Sequence, residues 1–337
     1  MKKVCRIATY IYILGFNGLF AQETISDIEI KDLYVRDPYI VAHKPTQTYY
    51  LYKASMVTGK NGKSGSGVVA YKSKDLKIWR GPYTVFTMPA DNWITGAIWA
   101  PEVHYYKGGY YLFATINSDI EWKKRRDGFP KYTFRGTQVF HSKSVDGPFL
   151  PFKDKEPYTP MDRMALDGTL WEENGIPYMV YCHEWVQIED GTMELVQLAQ
   201  DLSRPVGASL TLFNASSASW STGNIQKNGI TTYVTDGCFL YRTKANRLLM
   251  IWSSFKNGKY AIGIAASTTG KIRGPWIQQP DLLFEEHGGH GMLFKTFEGK
   301  LMLTFHGPNS PAGTERMKIY EVEDTGATLK LKVDRER

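Results

Sequence analysis

Cysteine is scarce, with three in 337 residues, which excludes a small disulfide-stapled scaffold, and no Cys/His spacing fits a zinc module. The apolar stretch Ile7–Phe20 stops at 14 residues and is broken by Asn17 and Gly18, short of the roughly 18–20 residues of a membrane span. There is no phosphate loop, nucleophile elbow, dinucleotide fingerprint, convincing amphipathic helix or low-complexity segment. Excess charge is small as well. The formal net charge is +7, and removing Lys2, Lys3 and Arg6 leaves 38 basic against 34 acidic side chains. That is too little for a nucleic-acid footprint. The basic run Lys123–Arg126 reads as a solvated loop.

The first 21 residues read instead as a cleaved secretory signal: a basic start, an apolar stretch and Ala21 before Gln22. The mature chain, 22–337, is expected to be exported to the periplasm or medium. It has no linker and is read as one domain, expected to be a monomer without stable membrane insertion. Cys182 and Cys238 then remain, either paired or as two buried thiols.

Aromatics and turn residues are abundant: 21 Tyr, 16 Phe, 9 Trp, 31 Gly and 16 Pro. Many short strands suit that composition better than long helices. The strands repeat. Asp37–Val41 leads through a turn to Tyr49–Tyr52, Ala100–Tyr105 to Tyr110–Phe113, and Asp167–Trp171 to Tyr178–Tyr181. Asp236–Tyr241 leads likewise to Leu248–Trp252, and Gly289–Phe294 to Leu301–Phe305. Unit starts at 37, 102, 167, 236 and 290 are separated by 65, 65, 69 and 54 residues. Three units also share a Gly-Pro-aromatic turn, at Gly81–Tyr83, Gly147–Phe149 and Gly274–Trp276. Five units of four strands predict an all-β, five-bladed β-propeller.

In a propeller the first strand of each blade lines the central channel, so five entry residues meet at one mouth. Here they are Asp37, Glu102, Asp167, Asp236 and His290. Like charges gathered there raise one another's pKa, as an acid/base site requires. Arg36, as a strand neighbour of Asp37, is expected to point to the opposite face.

Arg36-Asp37-Pro38, Trp99-Ala100-Pro101-Glu102-Val103, Leu166-Asp167-Gly168-Thr169-Leu170 and His290-Gly291 resemble the blade-entry motifs of glycoside hydrolase family 43. The ordered set covers essentially the whole mature chain. The resemblance implies inverting hydrolysis of arabinose- or xylose-type glycosides, with Asp37 as general base and Asp167 as the carboxylate that tunes and orients the acid. Where the family carries a Glu-Gly-Pro-like acid motif, this chain has Asp236-Gly237-Cys238. Glu184, at the end of the second strand of blade 3, is a second candidate. It is preferred as proton donor, with Asp236 shaping the sugar pocket, and the reverse assignment stays open.

Trp93, Trp99 and Trp185 are expected to pack on sugar rings at the mouth, with Trp252 a weaker candidate. Glu102 is counted with the substrate-binding residues. Arg316 resembles the family's sugar-binding Arg. His290 matches a histidine that in relatives lies near a channel metal, so a structural Ca2+ is an expectation, while catalysis needs no cofactor. His287 and His306 read as surface or packing residues. The expected reaction is removal of terminal pentose, α-L-arabinofuranose above all, from plant-type polysaccharides, if the loops 55–66 and 118–136 wall the funnel. β-Xylosidase, arabinanase and exo-galactosidase activities remain alternatives, as does a catalytically silent sugar-binding propeller.

Overall fold

The structure, a computed structural model, describes residues 24–59 and 62–332. The signal segment therefore lies outside the described residues. Five antiparallel sheets follow one another in chain order, each a consecutive meander. Blade 1 is Tyr39–His43, Thr48–Thr58, Ser64–Ser73 and Ile78–Thr87, with Ser26–Glu29 added at its outer edge. Blade 2 is Ala97–Tyr106, Gly109–Lys123, Tyr132–Ser142 and Leu150–Pro151. Blade 3 is Ala165–Glu173, Ile176–His183, Thr192–Leu198 and Pro205–Asn214. Blade 4 is Asp236–Arg242, Leu248–Lys256, Lys259–Ser267 and Trp276–Gln278. Blade 5 is Gly289–Lys295, Leu301–Gly307, Arg316–Asp324 and Leu329–Leu331. The innermost strands touch around a ring, and that of blade 5 reaches that of blade 1. Together they make a five-bladed β-propeller.

The second strands are apolar on both faces, because each sheet is covered by a neighbouring blade on either side. Ile176–His183 and Leu248–Ser254 are buried almost without interruption, which is why they read as continuous hydrophobic runs rather than alternating ones. One apolar cluster joins blades 5, 1 and 2, and others fill the gaps between 2 and 3, 3 and 4, and 4 and 5. Trp252 belongs to this interior: it is fully buried, stacks near Phe213 and Trp220 and donates to Gln278. The three Gly-Pro turns lead into or lie within the outermost strands, and all three bonds are cis. Cys182 and Cys238 are free, buried thiols.

Two segments expected as loops are extensions of strands. Thr48–Thr58 and Ser64–Ser73 continue as one hairpin, as do Gly109–Lys123 and Tyr132–Ser142. The second hairpin is tied to blade 3 by Arg126 on Glu189, and to the short hairpin Asn224–Thr232 by Asn228 Nδ2 on Asp127 O at 2.7 Å. Part of the basic run at 123–126 is thus an inter-blade brace.

Each blade enters the channel through a residue in the left-handed region. They are Asp37 (φ 52°), Ala100 (41°), Asp167 (57°), Gly237 (51°) and His290 (57°). In blades 2 to 5 this residue lies in a β-bulge, where the ladder register shifts. The bulge frees its N–H from the ladder, so that donor needs another acceptor. The preceding blade supplies one: Thr115 Oγ1 for Asp167 at 2.8 Å, Asp167 Oδ2 for Gly237 at 3.1 Å, and Ser253 Oγ for His290 at 2.8 Å. For Asp37 it is His306 Nδ1, at 3.2 Å.

Candidate active site

These bulges correct the register expected from sequence. The structural equivalents of Asp37 and Asp167 are Ala100 and Gly237, so Glu102 lies two residues further down its strand and Asp236 one residue before its bulge. The left-handed residue also breaks strand alternation. Consecutive side chains can then face the same cavity, and Arg36 and Asp37 both line it, contrary to the expectation for Arg36.

The cavity at the channel mouth is roughly 390 Å³. It brings together Asp37, Asp167, Glu184, Asp236, His290, Trp99 and Trp185 of the sequence candidates, and adds Arg36, Tyr34 and Tyr260. Trp93, Glu102 and Arg316 do not line it. Trp93 donates to Gln138 Oε1 at 3.1 Å and packs on the core. Glu102 is buried against His104 Nε2 at 2.8 Å, and His104 in turn meets Tyr39 Oη at 3.2 Å. The Arg316 guanidinium is spent on backbone oxygens of Lys31, Gly313 and Glu315.

His290 and His306, both from blade 5, flank Asp37. His290 Nδ1 lies 3.3 Å from Asp37 Oδ1 and 3.7 Å from Asp167 Oδ2. His306 Nδ1 lies 3.1 Å from Asp37 Oδ1. Asn309 Oδ1 accepts from Arg36 Nη2 at 3.1 Å and takes His306 Nε2 at 3.0 Å, which places that ring's proton on Nε2. Arg36 also pairs with the buried Glu315 at 3.1 Å. Burial alone would push the Asp37 carboxyl up, but His290 above all, with Arg36 further off, outweighs it and holds Asp37 well below the usual carboxylate range. It is an ionised base at any ordinary pH.

Asp236 has the opposite surroundings. Burial, then the neighbouring Asp167, push it up to about 8. Among the described residues its carboxylate takes one hydrogen bond, from Tyr260 Oη to Oδ2 at 3.0 Å, leaving Oδ1 to carry the proton. Asp167 is raised too, by burial and then by Asp37. Glu184 is raised by burial, an effect its ion pair with Arg135 opposes.

His306 had no local motif to mark it. Its signal is positional: Thr115, Cys182, Ser253 and His306 all pair with the residue just before a bulge. The calcium expectation meets a poor donor set. Calcium takes roughly six to eight oxygens, whereas His290 Nδ1 is turned to two carboxylates. Among the described residues no group of three or more His, Cys, Asp or Glu is arranged to hold a metal. No helix of the described residues is long and apolar enough to cross a membrane.

Two carboxylates with protonation states pushed apart in one cavity are the equipment of acid/base hydrolysis. The chain belongs to glycosyl hydrolases family 43, whose model matches residues 30–323. It is an inverting glycoside hydrolase. The solved structure of an endo-arabinase from Bacteroides thetaiotaomicron VPI-5482 is 37% identical, with 89% of this chain and 98% of that one covered and a TM-score of 0.76. An endo-1,4-beta-xylanase from the same organism (20% identical, 92% and 97% covered, TM-score 0.68) shares the fold. So does an exo-1,5-alpha-L-arabinanase from a bovine ruminal metagenomic library (17%, 90% and 98%, TM-score 0.63). No curated protein matches the chain.

Proposed function

We propose that this hydrolase is exported and cleaves α-L-arabinofuranosyl linkages in plant-type arabinan, with Asp37 as general base, Asp236 as general acid and Asp167 as the carboxylate that keeps the acid protonated. The observation that carries the assignment is the contrast between Asp37, surrounded by His290, His306 and Arg36, and Asp236, buried beside Asp167 and bonded to Tyr260. It reverses the preference for Glu184, whose carboxylate is matched to a guanidinium. An ion pair is a poor proton donor.

In this reading Asp37 takes a proton from water as that water attacks the anomeric carbon, while Asp236 gives its proton to the departing glycosidic oxygen. Arabinan is favoured by the likeness to the endo-arabinase. Removal of terminal residues would need the 55–66 and 118–136 hairpins to wall the mouth, and no described residue of either segment lines the cavity. The same likeness favours internal cleavage. The basic start and apolar stretch of residues 1–21 support export.

The test is incubation with linear arabinan, xylan and galactan, with product analysis. Arabinose alone supports terminal action, and a ladder of oligomers supports internal action. Turnover of xylan or galactan with none of arabinan refutes the substrate.

A further inference from the structure

Beside the central carboxylates, the cavity wall holds a buried ion pair that the chemistry above does not use. Arg135, from the third strand of blade 2, pairs through Nη1 with Glu184 Oε2. Both side chains are nearly buried, 8% and 12% exposed. Arg135 Nε donates to Asn117 Oδ1 at 2.7 Å, and Thr133 Oγ1 holds that same oxygen at 3.1 Å. The guanidinium lies over the Trp99 ring at 4.4 Å, while Trp99 and Glu184 line the cavity. Arg135 takes Glu184 Oε2, and Glu184 itself lines the cavity.

A buried ion pair is a weak source of stability, because desolvating two charges offsets most of their attraction. A hydrophobic pair would hold this wall as well. What the pair supplies is a carboxylate fixed in place at the cavity wall, next to an indole braced from one side by a cation. Strand register fixes its height. Leu166 pairs with Cys182 and Ala165 with His183, and Glu184 N–H reaches Met164 O at 2.8 Å. Glu184 therefore stands mouthward of Asp167, on the far side of the bulge at Leu166–Thr169. It lines the same cavity as the three aspartates but nearer the mouth, where the unit next to a ring seated on them would lie.

We propose that Glu184, aimed by Arg135 and Asn117, accepts hydroxyl hydrogen bonds from the sugar unit adjacent to the one being cleaved, while Trp99 supports the face of that unit. Glu184 is thus a specificity residue for chain substrates, and Arg135 a positioning residue. The inference rests on Asp236 being the acid.

The test is binding, separated from turnover. Linear arabinotriose, and xylotriose in parallel, are titrated by calorimetry into the Asp37→Asn protein and into the same protein carrying Glu184→Gln or Arg135→Lys. Thermal melting confirms that each variant is folded. Affinity for the trisaccharide should fall about ten- to hundredfold in both double variants, the range for losing a hydrogen bond to a charged group. Affinity for the monosaccharide should fall far less. Equal losses for mono- and trisaccharide, no loss, or no binding of either trisaccharide overturns the proposal. Kinetics of Glu184→Gln alone then separate this failure from failure of the acid assignment. A KM effect on oligosaccharides supports the proposal. A collapse of kcat on oligosaccharides with aryl-glycoside turnover retained makes Glu184 the acid and overturns both.

Discussion

Replacing Asp236 by Asn keeps the side chain's size and its contact with Tyr260 but removes the proton to be transferred. General acid catalysis contributes roughly 10²–10⁴-fold, so turnover of arabino-oligosaccharides should fall by that factor. An aryl glycoside, whose leaving group needs little protonation, should lose far less. The pH profile gives a second and independent readout. With Asp236 pushed up to about 8 by burial and Asp167, the wild-type acid is protonated at neutrality and loses its proton as pH rises through that value. The alkaline limb of kcat/KM should therefore bend near pH 8 and fall about tenfold per unit above it. Asp37, held well below its usual range, remains ionised throughout, so no acidic limb should appear near pH 4. The Asn variant should lack the alkaline bend on aryl glycosides. The assay is initial-rate kinetics from pH 4 to 10 on both substrate types. Asp236→Asn turning over oligosaccharide within tenfold of wild type, with the bend intact, would refute the assignment.

Tyr260→Phe removes a hydrogen bond that favours the ionised form of Asp236. The alkaline limb should therefore move to higher pH while the ring's packing on His306 keeps the protein folded; an unmoved limb counts against Tyr260 as the partner of the acid. Gly237→Ala places a Cβ 2.8 Å from His290 Cα at a φ of 51°, which should cost about 1–3 kcal/mol and depress kcat. Urea unfolding and rates on one preparation read both effects. Arg36→Ala leaves the buried Glu315 carboxylate without its cation, a loss of about 1–3 kcal/mol. Because Arg36 is only the weakest of the groups that hold Asp37 ionised, the acidic side of the pH profile should stay flat down to pH 4, and kinetics on the same preparation read this.

The propeller was legible because its repeat is carried by residues that are hard to hide: aromatic strands, turns and a fivefold spacing. Asp37, Asp167 and His290 were legible for the same reason, since each occupies the left-handed entry position of its own blade. Blade 2 misled because its bulge residue is Ala100, which has no chemistry of its own, and the nearest carboxylate, Glu102, stood in for it. A strand's period of two cannot show where a bulge adds a residue; Arg36 was assigned to the wrong face because it precedes the strand Tyr39–His43 and the left-handed Asp37 interrupts the alternation. His306 was invisible for a different reason. It acts across the junction of the first and last blades, 269 residues from Asp37, and no local pattern reports such a pairing. The choice between Glu184 and Asp236 turned on their partners, Arg135 and Tyr260, which lie 49 and 24 residues away.

That junction has a consequence for how the enzyme comes into being. Ser26–Glu29 extends blade 1 and not blade 5, so among the described residues no strand from before blade 1 completes the sheet of blade 5. The two ends are instead joined through Arg36 with Glu315, Asp37 with His306 and His290, and Tyr34 bridged to Arg316. Asp37 is itself part of the clasp. During synthesis, four completed blades would carry Asp37, Asp167, Glu184 and Asp236 and still lack the two imidazoles that flank the first of them. Hydrolytic activity is therefore expected only once the circle shuts, and a nick or strain that springs the clasp is expected to silence the chemistry before any blade melts.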